Sequence, residues 1–136
     1  MKTRHHFVVQ WGDTDAAGIV FYPNFYKWMD ESINDLFKQL DISLNRLFDV
    51  EKIAIPQLEC FCQFRKPLRF EDPFIIENKL ELLKEKTFKV SHTFILDGQV
   101  IAEGYSIRCW TDFSFVPKAI PIPDFIKEKI ESYVPF

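Results

Sequence analysis

This sequence predicts an α+β fold in which an antiparallel sheet wraps around one long helix, and three observations carry that expectation. Apolar residues recur at helical spacing through residues 22–39, period-two alternation dominates from 55 to 113, and an Asp97-Gly98 pair suited to a tight hairpin separates two of the alternating runs. A single amphipathic helix followed by long antiparallel strands has to bury its stripe on one face of their sheet.

The elements follow in chain order. TRHHFVVQW, at residues 3–11, is β-prone and reads as a first strand ending before Gly12. GDTDAAGIVFY is a loop, and Pro23 suits a first helical turn because its missing N–H needs no partner there. Phe25, Met29, Ile33, Leu36, Phe37 and Leu40 then mark the buried stripe of a helix over 22–39. Residues 41–53 read as a connector with some helical turn, with Asp41 as its cap and Leu44, Leu47 and Phe48 as a small apolar cluster. Leu58, Cys60, Cys62 and Phe64 alternate with Gln57, Glu59, Gln63 and Arg65, which predicts a strand, although Phe61 breaks its polar side. Further strands are expected over 74–83, 87–96 and 100–113. A tail punctuated by Pro117, Pro121 and Pro123 leads to a short helix in which Phe125, Ile126, Ile130 and Tyr133 cover the sheet. Nothing in the chain reads as a repeat or an interdomain linker, so one domain over 1–136 is expected.

Composition excludes several classes of function. A hydrophobic share of 47% beside 27% charged residues is that of a folded protein. The formal net charge of -3 gives no global attraction to nucleic acid or anionic membranes. No apolar run is long enough for a membrane span, and the first residues lack the apolar segment of a signal peptide, so a cytoplasmic location is expected. Cys60 and Cys62 project from one strand face and, with Cys109, make an odd set of three that fits reduced thiols better than a disulfide framework. The 15 phenylalanines imply a thick core, a buried subunit contact or an aromatic-lined pocket.

The chemistry concentrates in GDTDAAGIVFYPNFYKWMDE, residues 12–31. A helix N-terminus presents free N–H groups and a partial positive charge, so a carbonyl oxygen placed against it is polarised and a developing oxyanion is stabilised. Tyr22 stands at that start. An aspartate upstream, on a loop that Gly18 lets turn sharply, is able to attack the same carbonyl or activate a water. Acyl transfer is the chemistry this suits.

The run from Gly12 to Tyr26 resembles the signature of the 4-hydroxybenzoyl-CoA thioesterase family of hotdog-fold proteins. The likeness continues less tightly through Trp28-Met29-Asp30, through PLRFEDP at 67–73 and to the tail containing Pro123, covering nearly the whole chain. It implies a hotdog fold, hydrolysis of an acyl-CoA thioester without a cofactor of the protein's own, and active sites at a homodimer interface, commonly within a homotetramer. By that resemblance Asp15 takes the place of the catalytic carboxylate, as nucleophile or general base, and the Tyr22 N–H that of the carbonyl donor. Asp13 is left as a turn residue. Gly18, Pro23, Tyr26 and Asp30 fall at substrate-binding positions, and Asp30 matches an aspartate that contacts the ring hydroxyl in hydroxybenzoyl-specific members. Tyr26 and Asp30 are one helical step of four apart, hence on one face. The family's basic nucleotide-contacting run reads Lys84-Glu85-Lys86 here, a departure at Glu85; Arg65, Lys66 and Arg69 are further candidates for the coenzyme A phosphates.

Blander readings stand beside these. Asp15 as a backbone-bonding loop acid and Asp30 as a solvated helix acid remain open. His92 shares a strand face with Phe88, Val90, Phe94 and Leu96 and is expected to be a hydrogen-bonded interior histidine. His5 and His6 lie far in sequence from Cys60 and Cys62, so no metal site is expected, and no local histidine activates either thiol. Two competing functions are a hotdog dehydratase or hydratase, which wants a histidine and an acid near the central helix, and a non-catalytic module that binds an acyl-CoA or another aromatic ligand.

Overall fold

The computed structural model describes residues 1–135. Strand β1 (Lys2–Val8) leads through a 3₁₀ turn (Trp11–Asp13) to the long helix α1 (Pro23–Gln39), the short helix α2 (Leu44–Glu51) and strand β2 (Ile53–Ala54). Strands β3 (Gln57–Phe64), β4 (Pro73–Leu82), β5 (Thr87–Leu96) and β6 (Gln99–Cys109) follow, then β7 (Thr111–Asp112), β8 (Lys118–Ala119) and helix α3 (Asp124–Ser132). The main sheet is antiparallel in the order β1-β4-β5-β6-β3, and β2-β7-β8 form a small second sheet. This is the expected helix-in-sheet arrangement. Asp97 and Gly98, with φ of 49° and 75°, make the expected hairpin between β5 and β6.

Helix α1 lies in the sheet and every residue of its predicted stripe is buried, with Trp28 and Ser32 added to it. Two apolar clusters result. One gathers Val9, Phe25, Trp28, Met29, Phe74 and Phe94 around the first half of α1, and the other gathers Ile33, Leu36, Phe37, Leu80, Phe88 and Trp110 around the second. Between them runs a buried polar row on the inner sheet face, in which Thr3 pairs with Asn78, Asn78 with His92 and His92 with Gly104 across successive strands.

The row is hydrogen-bonded throughout. Ser32 Oγ donates to the Met29 carbonyl at 2.7 Å and accepts from Asn78 Nδ2 at 2.9 Å, while Asn78 Oδ1 faces His92 Nδ1 at 2.6 Å and His92 Nε2 faces Ser106 Oγ at 3.0 Å. Satisfying every partner requires the His92 tautomer with its proton on Nδ1 and the Ser106 hydroxyl donating to Nε2. Burial, with Arg108 and His5 nearby, pushes His92 down from 6.5 to about 3, so the ring is neutral as well as enclosed. On β1, His5 bridges Thr3 Oγ1 at 2.7 Å and Asp35 Oδ2 at 2.6 Å; burial lowers its pKa against the pull of that carboxylate.

Several local expectations are corrected. The cap of α2 is Ser43, whose hydroxyl accepts from the Arg46 N–H, whereas Asp41 turns the chain off α1 in the left-handed region at φ 60°. The long last strand breaks at Trp110, whose ring is buried, and resumes as β7. On β3 only Cys62 is buried; Leu58 falls in a break of register between Gln57 and Glu59 and is 60% exposed, and Phe64 is 43% exposed at the end of an edge strand. Ile126 and Ile130 of α3 seal the core as expected, while Phe125 points outward.

Gly104 is a tight point of the sheet: a Cβ there would sit 2.3 Å from the Phe61 carbonyl oxygen on β3. Gly104→Ala is expected to cost about 1–3 kcal/mol, the range for overpacking, measured as a lower urea midpoint with little change in slope. Because His92 has a folded-state pKa of about 3, below its unfolded 6.5, the unfolded chain binds a proton that the folded chain refuses between those values. Stability should therefore fall as pH drops from 6.5 toward 3, and His92→Gln should flatten that part of a pH series of urea melts.

Candidate active site

The loop before α1 is built on Asp13. Its Oδ2 accepts the Gln10 N–H at 2.8 Å, and its main-chain carbonyl accepts both the Phe21 N–H at 2.9 Å and Asn24 Nδ2 at 2.8 Å. Asp13 is thus the turn residue. The chain folds back on itself through a Thr14–Val20 bridge and an Asp15 N–H to Ile19 carbonyl bond, with Gly18 at φ 77° closing the turn.

That clamp determines which donors face outward. Asn24 and Phe25 donate to the carbonyls of Phe21 and Tyr22, and Pro23 has no N–H. The Tyr22 N–H has no hydrogen-bond partner among the described residues, so it is the free donor at the positive end of α1. Tyr22 lines a cavity of about 360 Å³ together with Ile19, Val20, Phe25, Phe64, Pro67 and Leu68 and the basic residues Arg65 and Lys66. Arg65 pairs with Glu103, and Lys66 Nζ donates to the neutral Gln99 Oε1 at 2.6 Å.

From Tyr22 a stripe of α1 faces the β3 edge. Tyr22 and Tyr26 both meet the Phe64 ring edge-on, at centroid distances of 6.4 and 6.2 Å. Burial and the neighbouring Cys62 and Cys60 hold the Tyr26 hydroxyl above its ordinary pKa. Two turns beyond Tyr22, Asp30 Oδ1 accepts from Arg108 Nη2 at 2.7 Å. Burial raises the Cys60 thiol and pushes Cys62 up to about 12, so neither is a nucleophile at neutral pH.

Tyr22, Tyr26 and Asp30 therefore follow one another at helical steps of four, Tyr22 and Tyr26 against Phe64 and Asp30 against Arg108, and Tyr22 lines the cavity with Arg65 and Lys66; Pro23 starts the helix but does not line the cavity. The structure does not bring in everything. Asp15 is exposed, its Oδ1 accepting the Ala17 N–H at 2.9 Å, and it does not line the cavity within a single chain. Lys84 and Lys86 sit at the far end of the sheet: the Arg65 N–H bonds the Ile101 carbonyl and the Trp110 N–H bonds the Lys86 carbonyl. The intervening extended chain spans about 30 Å, too far for both basic sets to hold one set of phosphates in one protomer. Arg69 is exposed beside the loop, where its N–H bonds Asp72 Oδ2. Asn24 and Arg108 were not singled out from sequence. A charged residue continuing the inward Ala102, Gly104, Ser106 series of β6 was the signal for Arg108. Two strand histidines are interior: His92 is 1% exposed with both ring nitrogens engaged by Asn78 and Ser106, and His5 is 3% exposed with both engaged by Thr3 and Asp35, so neither lines the cavity beside Tyr22. Among the described residues no group of His, Cys, Asp or Glu is placed to hold a metal ion, and no helix is long and apolar enough to cross a membrane.

A sheet curled around a central helix, with an unpaired donor at the helix tip beside an apolar groove, defines a hotdog-fold protein. A model of the thioesterase-like superfamily matches residues 9–130, and the chain belongs to that superfamily. A solved gentisyl-coenzyme A thioesterase superposes with a TM-score of 0.85 at 43% identity, covering 93% of this chain and 98% of that one. The 4-hydroxybenzoyl-CoA thioesterase of Pseudomonas sp. strain CBS-3 superposes with a TM-score of 0.87 at 25% identity, over 94% of this chain and 98% of that one. A 1,4-dihydroxy-2-naphthoyl-CoA hydrolase of Prochlorococcus marinus (strain MIT 9303) is 28% identical over 102 residues, which is 70% of this chain and 68% of that protein.

Proposed function

We propose that this protein hydrolyses the thioester of a hydroxylated aromatic acyl-CoA, of the hydroxybenzoyl or dihydroxybenzoyl type. The observation that carries the reading is the spacing of the groove: an unpaired Tyr22 N–H at the helix tip and the Asp30 carboxylate on the same stripe. At the ordinary helical rise they are about 12 Å apart along the axis. The Asp30 side chain leans back toward the helix N-terminus, so its carboxylate stands closer to Tyr22 than that rise, a separation on the scale of one substituted benzoyl group. The similar gentisyl- and 4-hydroxybenzoyl-CoA thioesterases support the same substrate class.

In this reading the thioester carbonyl oxygen accepts the Tyr22 N–H, and the field of α1 stabilises the negative charge it gains during attack. Asp15 acts in one of two ways. Its carboxylate adds to the carbonyl carbon, the tetrahedral intermediate expels coenzyme A as a thiolate that takes a solvent proton, and water then cleaves the acyl-aspartyl anhydride. Alternatively, Asp15 takes a proton from the water that attacks. Either route yields the free aromatic acid and the coenzyme A thiol and returns Asp15 to its starting state. Gly18 and Pro23 shape the approach to the carbonyl, and the Tyr26 and Phe64 rings flank the acyl group. Arg65 and Lys66, at the groove mouth, bind coenzyme A phosphates, and Lys84 and Lys86 reach them only from another subunit.

Asp15 enters such a site when a second copy covers the loop and groove, so the working form is a homodimer or a homotetramer of such dimers. The β3 edge supports this, since Leu58, Phe61 and Phe64 stand exposed beside unpaired strand hydrogen-bonding groups. The protein needs no cofactor or metal in this chemistry, and its three free cysteines fit a cytoplasmic setting.

Free-thiol release from a panel of acyl-CoAs tests the proposal. Asp15→Asn should lower turnover by at least ~100-fold while leaving acyl-CoA binding largely intact. An Asp15→Asn protein as fast as wild type removes the mechanism, and binding without turnover by wild type makes the protein a ligand-holding module instead.

A further inference from the structure

Arg108 and Asp30 form an unequal pair. The arginine side chain is 11% exposed and the aspartate 67%, so a guanidinium has been taken out of water to meet a carboxylate that remains exposed on the α1 stripe below Tyr22 and Tyr26. Nη2 donates to Asp30 Oδ1 at 2.7 Å and Nη1 to the Ile55 carbonyl at 3.2 Å, while Nε is buried with no hydrogen-bond partner among the described residues. As a stabilising device this is poor. Half-exposed ion pairs recover little, burying a charge is costly, and a structural arginine normally has its buried donors satisfied. The plane of the fork is oriented to reach Asp30 at the expense of Nε. What the contact achieves is at Asp30: one carboxylate oxygen is fixed by the guanidinium, on a side chain that is exposed one helical turn beyond Tyr26.

We propose that Arg108 is the positioning residue that makes Asp30 selective for a phenolic hydroxyl on the acyl ring. This deepens, and rests on, the reading of the groove as an aromatic acyl-CoA site. With Oδ1 held by the guanidinium, Oδ2 presents an acceptor of fixed direction, which a ring O–H satisfies by donating to it. A ring without a hydroxyl covers the carboxylate and leaves it unpaired, and a methoxy group sets acceptor against acceptor, so both are rejected by an uncompensated polar group rather than by shape. The guanidinium also neutralises the carboxylate that the ring covers. Without it, closing an aromatic ring over Asp30 would strand a net charge.

The test is the ratio of kcat/KM for 4-hydroxybenzoyl-CoA and 2,5-dihydroxybenzoyl-CoA to that for benzoyl-CoA and 4-methoxybenzoyl-CoA, measured on the full chain. Arg108→Gln is expected to cost the better hydroxylated substrate about 10- to 100-fold more than benzoyl-CoA, the scale of one lost charge-assisted contact. Arg108→Lys, which keeps the charge without the fork, should recover part of the ratio. The Arg108→Gln, Asp30→Asn double variant should be no less selective than the worse single one, because both remove the same contact. Thermal melts identify a variant that fails to fold, in which case Arg108→Lys alone carries the comparison. Equal slowing of hydroxylated and plain rings in folded variants, or additive losses in the double variant, overturns the role of Arg108 while leaving the thioesterase reading in place. Failure of wild type to hydrolyse any substrate in the panel overturns that reading, and this inference with it.

Discussion

The hydrogen-bonded chain from Met29 through Ser32, Asn78 and His92 to Ser106 fixes where α1 sits along the sheet. Apolar contact alone is a weak ruler, because Phe, Leu, Ile and Met repack at modest cost and a helix displaced by one turn buries comparable area. The chain is directional. A shift of one turn, about 5.4 Å, parts Ser32 from Asn78 and leaves buried donors and acceptors empty at about 1–3 kcal/mol each. Because Asp30 lies on that helix and Tyr22 caps it, a polar row buried in the core sets where both of them lie.

A second constraint acts at the helix tip. Asp13 uses both lone pairs of its carbonyl, one for the Phe21 N–H and one for Asn24 Nδ2, so the loop is pinned to the first turn of the helix. Pro23 then removes the donor that would compete with Tyr22. The sequence YPN at 22–24 therefore does electrostatic work. It leaves one N–H unpaired where the helix field is strongest, which no choice of side chain at Tyr22 itself would achieve.

How much of this was legible in the sequence depends on the range of the interaction. The α1 stripe, the Asp97-Gly98 hairpin and the interior place of His92 follow from local periodicity, and all three stand in the structure. The two-residue strands β2 and β8 carry too few residues for a period. Leu58 and Phe64 alternate like core residues, yet they are exposed, Leu58 at a break in the β3 register and Phe64 on an edge strand, and neither bulge nor strand order is written in a strand's own pattern. Asp41 and Ser43 both have capping chemistry, and the choice between them rested on where α1 releases the chain. The site divides the same way. Tyr22, Pro23, Tyr26 and Asp30 lie on one helix and its cap and are legible together, whereas Arg108 comes from a strand far along the chain, and the distance between Arg65 and Lys86 is a fact of topology.

One protomer holds only part of the proposed site, and the reason is dielectric. Tyr22 is 60% exposed and Phe64 43%, so an oxyanion formed in the groove of an isolated chain would sit in water, where a single N–H and a helix field add little to what solvent already provides. The same exposure is a second problem, since Phe21, Tyr22, Leu58, Phe61 and Phe64 form an apolar margin along an open strand edge. The second copy proposed above, packed on β3, would answer both at once. It would remove the aromatic margin from water and, by excluding water, turn the helix tip from a weak surface dipole into a strong one. The proposed chemistry therefore depends on assembly through electrostatics as well as through contributed residues, with the edge strand that a monomer would leave open serving as the wall of the site.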